Sequence, residues 1–121
     1  MIKAVNHLAL IVSSEKTITL YEKLGFQVTS RVNRGYDEIV WLDGYNLQLE
    51  VFIDPTHPPR VDAPEAMGLR HFGLIVDDIE KTLSELQLEK DGIIVEPIRE
   101  RSGKKYTFIK DYDGIPIELS E

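Results

Sequence analysis

Short runs rich in β-branched and aliphatic residues alternate with polar breaks along this chain, and two stretches show helical spacing instead. The first run, VNHLALIV at 5–12, predicts a strand. Ser13 and Ser14 offer side-chain oxygens to cap a helix. That helix carries Ile18, Leu20, Tyr21 and Leu24 on one stripe, and Gly25 suits its C-terminal cap. Strands are expected near 26–32, 38–42 and 46–53, separated by NRGY and DGYN. The same order then returns. A strand at 70–76 leads into a helix over about 78–90, capped by Asp77 or Asp78, and strands follow near 93–99, 106–110 and 115–119 with RSGKK and DYDG as turns.

The recurrence extends to individual residues. A shift of 64 places His7 on His71, Leu10 on Leu74, Ile11 on Ile75 and Val12 on Val76. A shift of 68 places Asp43 on Asp111, Leu47 on Ile115, Leu49 on Ile117 and Glu50 on Glu118. The drift of four residues falls where a helix can absorb it. The chain is therefore read as two copies of a strand–helix–three-strand module, the first over 1–54 and the second over 70–121. Residues 55–69 hold four of the six prolines and form a stiff connector. Modules this short are marginal alone, so the two are expected to make one domain.

Strand alternation assigns the faces. His7, Ala9 and Ile11 share one face, as do His71, Gly73 and Ile75. The bulkier Leu8, Leu10, Val12 and Phe72, Leu74, Val76 suit packing under a helix. In the last strands, Glu50 and Glu118 lie on the less apolar face. Where first and last strands are neighbours, histidine and glutamate meet. A lone strand histidine is ordinarily a satisfied core or edge residue, and a strand glutamate a solvated one. The same two types at equivalent places in both copies favour ligation instead. His7, Glu50, His71 and Glu118 form a nitrogen–oxygen donor set suited to one divalent ion: Zn, Ni, Co, Mn or Fe. Such sets leave positions open for water or substrate. His57, in the connector, has no counterpart and reads as surface.

Charge and composition narrow the partners. The 121 residues carry a net charge of −7 with pI about 5.0, against nucleic acid or an anionic membrane as partner. With no cysteine there is no disulfide, thiolate nucleophile or sulfur ligand, which fits a cytoplasmic protein. The N-terminus lacks the pattern of a signal peptide, and no apolar run approaches the roughly 20 residues of a membrane span. Arg31 and Arg34 flank one hairpin, and Arg99, Arg101, Lys104 and Lys105 its counterpart. These are either solvated turns or a lure for a small anionic substrate. Trp41, Tyr36, Tyr106 and Phe108 are either pocket or core residues.

The paired modules, the histidines opening their first strands, the glutamates closing their last, and the stretches YEKLGFQV and DYDGIPIEL resemble the vicinal oxygen chelate superfamily over the whole chain. That superfamily includes glyoxalase I, methylmalonyl-CoA epimerase, fosfomycin-resistance enzymes and extradiol dioxygenases. The resemblance implies an α+β fold in which tandem βαβββ modules form a cup-shaped mixed sheet around a metal. A complete His, Glu, His, Glu set is most similar to glyoxalase I. The epimerases tend to carry glutamine at the place of Glu50, while dioxygenases and fosfomycin enzymes typically use two histidines and one glutamate. No glutathione-binding set is evident, and PEAMGLRHFGLIVDD with GKKYTFIKDYDGIPIELSE resembles a compact glyoxalase-like bacterial branch. The implied activity is a lyase or isomerase step, a proton shift beside a carbonyl of a small 2-oxo compound or thiol adduct, with Glu118 or Glu50 as base. A fosfomycin-type thiol transferase or hydrolase and an extradiol dioxygenase stand as alternatives. A drug-sequestering protein without catalysis stands as a third. Relatives commonly pair, so a homodimer is expected.

Overall fold

The structure, a computed structural model, describes all 121 residues, which fall into two compact units, residues 1–58 and 59–121. The boundary lies between Pro58 and Pro59, inside the proline-rich connector. No helix is long and apolar enough to cross a membrane.

The first unit contains β1 (Leu8–Val12), α1 (Glu15–Lys23), β2 (Gln27–Asn33), β3 (Glu38–Gly44) and β4 (Leu47–Ile53). Its sheet runs β1-β4-β3-β2, with β1 parallel to β4 and the other pairs antiparallel. Ser14 caps α1, its side chain accepting from the Lys16 amide, with Glu15 in the first turn and Lys23 in the last, as the helix dipole favours. Thr17, Ile18, Leu20 and Tyr21 are buried on α1, and Leu10, Val12, Val40, Leu42, Leu49 and Val51 on one face of the sheet. Burial of each large apolar side chain contributes about 1.5–3 kcal/mol, so this stripe and this face hold the unit together. The turn from β3 to β4 uses two left-handed residues, Tyr45 at φ 55° and Asn46 at φ 62°, the conformation that suits a two-residue hairpin. The Tyr45 hydroxyl donates to the Leu24 carbonyl at 2.5 Å, tying the hairpin to the end of α1.

The second unit contains β5 (Phe72–Ile75), α2 (Ile79–Leu86), β6 (Ile94–Val95), β7 (Arg99–Arg101), β8 (Lys104–Lys110) and β9 (Pro116–Ser120). Its sheet runs β5-β9-β8-β6, with β7 also paired to β8 and β5 parallel to β9. Asp78 caps α2 through the Lys81 amide. The α+β architecture of two βαβββ modules is thus the one expected from the repeat.

Several boundaries differ from expectation, among them the start of β8, which takes Lys104 and Lys105 from the expected RSGKK turn. Residues 5–7 lie outside β1, so His7 precedes the strand, and His71 likewise precedes β5. The expected helix over 78–90 stops at Leu86, because Gln87 turns left-handed at φ 50°, and a 3-10 turn covers Leu88–Asp91. The expected strand over 93–99 divides into β6 and β7 on either side of 96–98. Pro97, having no N–H, cannot donate to β8 there. Strand β4 begins at Leu47, since Asn46 belongs to the turn.

Candidate functional site

Each unit brings one histidine to one glutamate. In the first, Nε2 of His7 lies 3.6 Å from Oε1 of Glu50. In the second, Nε2 of His71 lies 3.3 Å from Oε2 of Glu118. Register explains the likeness. Ala9 pairs with Glu50, and Glu50 with Trp41, across β1, β4 and β3. Gly73 pairs with Glu118, and Glu118 with Phe108, across β5, β9 and β8. Each histidine comes just before its first strand, two residues ahead of the small residue facing the glutamate. All four side chains are partly exposed.

An aromatic ring backs each histidine. Trp41 meets His7 edge-on, centroids 5.2 Å apart and planes at 74°. Phe108 meets His71 the same way, at 4.9 Å and 86°. A shift of 67 would have matched Trp41 with Phe108 in the sequence, and their equivalent register confirms them on the histidine face rather than under a helix. Tyr106 shares that face through its contact with Phe108 at 6.4 Å, while Tyr36 is exposed on the first hairpin. The histidine faces are otherwise open within each unit: Ile11 is 50% exposed and its equivalent Ile75 88% exposed.

Two ligands bound side by side at about 2.1 Å each lie roughly 3.0–3.4 Å apart, for angles between octahedral and tetrahedral. The observed separations of 3.3 and 3.6 Å sit at and just beyond that range, so each pair fits two neighbouring positions on one divalent ion. No group of three or more histidine, aspartate or glutamate side chains is gathered closely enough to hold an ion. The structure therefore gathers the four sequence-predicted ligands as two pairs, one per unit. His57 stands apart, 3.4 Å from Asp54. Hydrogen bonds from the Thr56 side chain and amide hold the Asp54 carboxyl below its usual range.

The basic hairpins are largely neutralised. Arg31 bridges Glu15 and Glu38, and those hydrogen bonds raise its pKa. Arg34 grips Asp37 with Nε and Nη2 and holds that carboxyl below its usual range. Arg99 pairs with Glu96 at 3.3 Å and Lys105 with Glu80 at 2.8 Å. Arg101 lies over the Tyr106 ring in a cation–π contact, 4.8 Å from its centroid.

Beside His7 opens a groove of about 520 Å³, whose lining includes Asn6, Gln27, Asp43, Asn46 and Gln48. Four of its nine lining residues, Asn6, Gln27, Asn46 and Gln48, carry side-chain amides that both donate and accept hydrogen bonds.

A family model of the Glyoxalase/Bleomycin resistance protein/Dioxygenase superfamily matches residues 4–119. The chain belongs to this superfamily. It is 41% identical to the uncharacterized protein YwkD of Bacillus subtilis (strain 168), over all of this chain and 98% of that protein. The crystal structure of a glyoxalase family protein from Enterococcus faecalis has a TM-score of 0.86 at 38% identity and covers 98% of both chains. A crystal structure of the fosfomycin resistance protein FosX from Listeria monocytogenes, complexed with Mn(II) and a dihydroxypropylphosphonic acid, shares the fold at TM-score 0.77 and 17% identity, over 98% of this chain and 92% of that one. The superfamily's members include lyases, fosfomycin-resistance enzymes and dioxygenases, so membership fixes the fold and leaves the reaction to the side chains on the histidine faces.

Proposed function

We propose that the protein is a divalent-metal-dependent lyase or isomerase that moves a proton beside a carbonyl of a small 2-oxo compound or its thiol adduct. The observation that carries this reading is one His–Glu pair placed twice, at equivalent register, with donor atoms 3.6 and 3.3 Å apart. His7, Glu50, His71 and Glu118 would hold the ion, and the donor set suits Zn, Ni, Co, Mn or Fe. When bound, such an ion supplies Lewis acidity that lowers the pKa of a C–H next to a carbonyl.

The side chains do the rest. A carboxylate oxygen of Glu118 or Glu50 takes the proton and returns it to a neighbouring carbon or oxygen. Trp41 and Phe108 fix the imidazole planes and keep water off one side of each ring. The amide-lined groove beside His7 accepts the body of the substrate through hydrogen bonds. Arg101 and Lys104, with no carboxylate partner, favour an anionic one. Two carboxylate ligands, Glu50 and Glu118, would reduce the ion's electrophilicity and provide a built-in base, which suits proton transfer better than dioxygen activation.

The reading requires the two pairs to meet, within one chain or between two copies. A homodimer is the assembly we infer. The exposed Ile11 and Ile75 on the histidine faces support it, since apolar side chains on strand faces are ordinarily covered.

Deuterium exchange at the substrate C–H in heavy water, with Mn, Co, Ni or Zn supplied in turn, tests the reaction. Glu118→Gln should retain some metal, because an amide oxygen still coordinates, and lose about two to four orders of magnitude in turnover. Oxygen consumption with a catechol, or thiol transfer to an epoxide without exchange, would assign the protein to a sister branch. Ligand binding indifferent to chelator would make it a sequestering protein.

A further inference from the structure

The two pairs are alike in placement but differ in what holds the other nitrogen of each histidine. Nδ1 of His7 lies 2.6 Å from Oδ1 of Asn6. An amide oxygen only accepts, so Nδ1 carries the hydrogen and Nε2 presents a lone pair toward Glu50. Nδ1 of His71 instead lies 3.1 Å from Nη1 of Arg70. A guanidinium only donates. Nδ1 therefore accepts, the neutral ring carries its hydrogen on Nε2, and that N–H faces Oε2 of Glu118 at 3.3 Å. One ring is preset to ligate through Nε2, and the other to donate through the same atom.

Arg70 is itself held in place. Its Nε and Nη2 donate to the two carboxylate oxygens of Glu65 at 2.7 and 3.1 Å. Arg60 donates from Nη2 to the Arg70 carbonyl at 2.9 Å. The guanidinium carbon lies 5.9 Å from the Phe108 centroid, above the ring that backs His71. With one edge of the fork committed to Glu65, the remaining Nη1 is aimed at His71. Glu65 and Arg60 both belong to the connector, so this clasp links the connector to the ligand pair.

We propose that Arg70 is a positioning residue that holds His71 in the tautomer unable to ligate through Nε2, so that an ion engages the second pair only when the Glu65–Arg70 clasp releases the ring. The inference rests on the metal reading above. It implies ordered loading, with the His7–Glu50 pair engaging first. It also gives the connector a role beyond joining two modules: moving Glu65 changes the affinity of the site.

The test uses the full metal-free chain at a pH where its histidines are neutral. Nitrogen–proton correlation spectra report which ring nitrogen is protonated, and His71→Gln identifies the His71 signals. In the wild type the His71 hydrogen should sit on Nε2. In Arg70→Ala that preference should be lost, and Zn²⁺ should bind about tenfold more tightly, because no hydrogen bond to a charged donor has to break. Arg70→Lys keeps the charge and loses the fork, so a tautomer change in it separates hydrogen bonding from charge repulsion. Glu65→Gln should fall between wild type and Arg70→Ala. A His71 hydrogen on Nδ1 in the metal-free wild type would overturn the proposal, as would an unchanged tautomer and Zn²⁺ affinity in Arg70→Ala. If Arg70→Ala frees the tautomer but no variant binds Zn²⁺, the positioning role stands and the metal reading falls.

Discussion

Gly73 lies opposite Glu118 across β5 and β9, where the first unit has Ala9 opposite Glu50. Its backbone is not left-handed, so a side chain adds no backbone strain. A methyl group there would sit 3.8 Å from Cβ of Glu118 and 3.9 Å from its carbonyl oxygen, ordinary van der Waals contact. Gly73→Ala should therefore be accepted. By reducing the freedom of the unfolded chain it should add about 0.4–1 kcal/mol, which is about 2–5 °C in melting temperature for a chain of this size. Gly73→Leu differs. Its branched end reaches over the space between His71 and Glu118, and it touches no core residue because Gly73 is exposed. The metal-free chain should melt within about 0.5 kcal/mol of wild type, while divalent metal binding weakens at least about tenfold, since the ring and carboxylate can no longer approach one ion together. Thermal melts of the metal-free proteins and calorimetric titration with Zn²⁺ measure both quantities. Wild-type affinity in Gly73→Leu would show that the ion does not bind on this face. A Gly73→Ala chain melting well below wild type would refute the packing argument itself.

Thr17 is fully buried on α1 and its Oγ1 has no hydrogen-bond partner; Thr17→Val keeps the shape and should gain about 1 kcal/mol in urea unfolding, whereas a loss would mean the hydroxyl is satisfied. Chelator should lower the melting temperature of metal-loaded protein by on the order of 10 °C, because binding at a hundredfold excess over Kd contributes about 2.7 kcal/mol; no shift after confirmed metal removal would count against the site. Sedimentation should show a dimer at micromolar concentration, and mixing His7→Ala with His71→Ala chains should restore metal binding in the hybrid if the two pairs meet across copies, while failure with intact dimers would place each site within one chain.

Much of this was legible in the sequence because duplication carries its own control. A histidine and a glutamate that recur at shifts of 64 and 68 were singled out by their spacing alone, and the parallel pairing of β1 with β4 and of β5 with β9 brings them together. Trp41 and Phe108 were visible too, but aromatic residues on strands face either way, and register was needed to choose. What escaped the sequence was decided by single backbone events and by contacts between elements. The early end of α2 depends on one left-handed residue, Gln87, of a type that ordinarily continues a helix. The split between β6 and β7 comes from Pro97, whose missing N–H matters only once β8 is its neighbour. The sequence leaves the basic hairpins open between solvated turns and an anion lure, because the carboxylate that meets Arg31 is Glu15, sixteen residues away on a helix. The hold of Arg70 on His71 is between sequence neighbours, yet its meaning appears only when Glu65 is seen to orient the fork.

Bound metal per chain, measured by mass spectrometry on purified protein reconstituted with Zn²⁺, is the most direct test that His7, Glu50, His71 and Glu118 form a metal centre. Wild type and His57→Ala should carry about one ion per chain, and His71→Ala should lose most of it. Unchanged stoichiometry and affinity in His71→Ala would contradict the assignment.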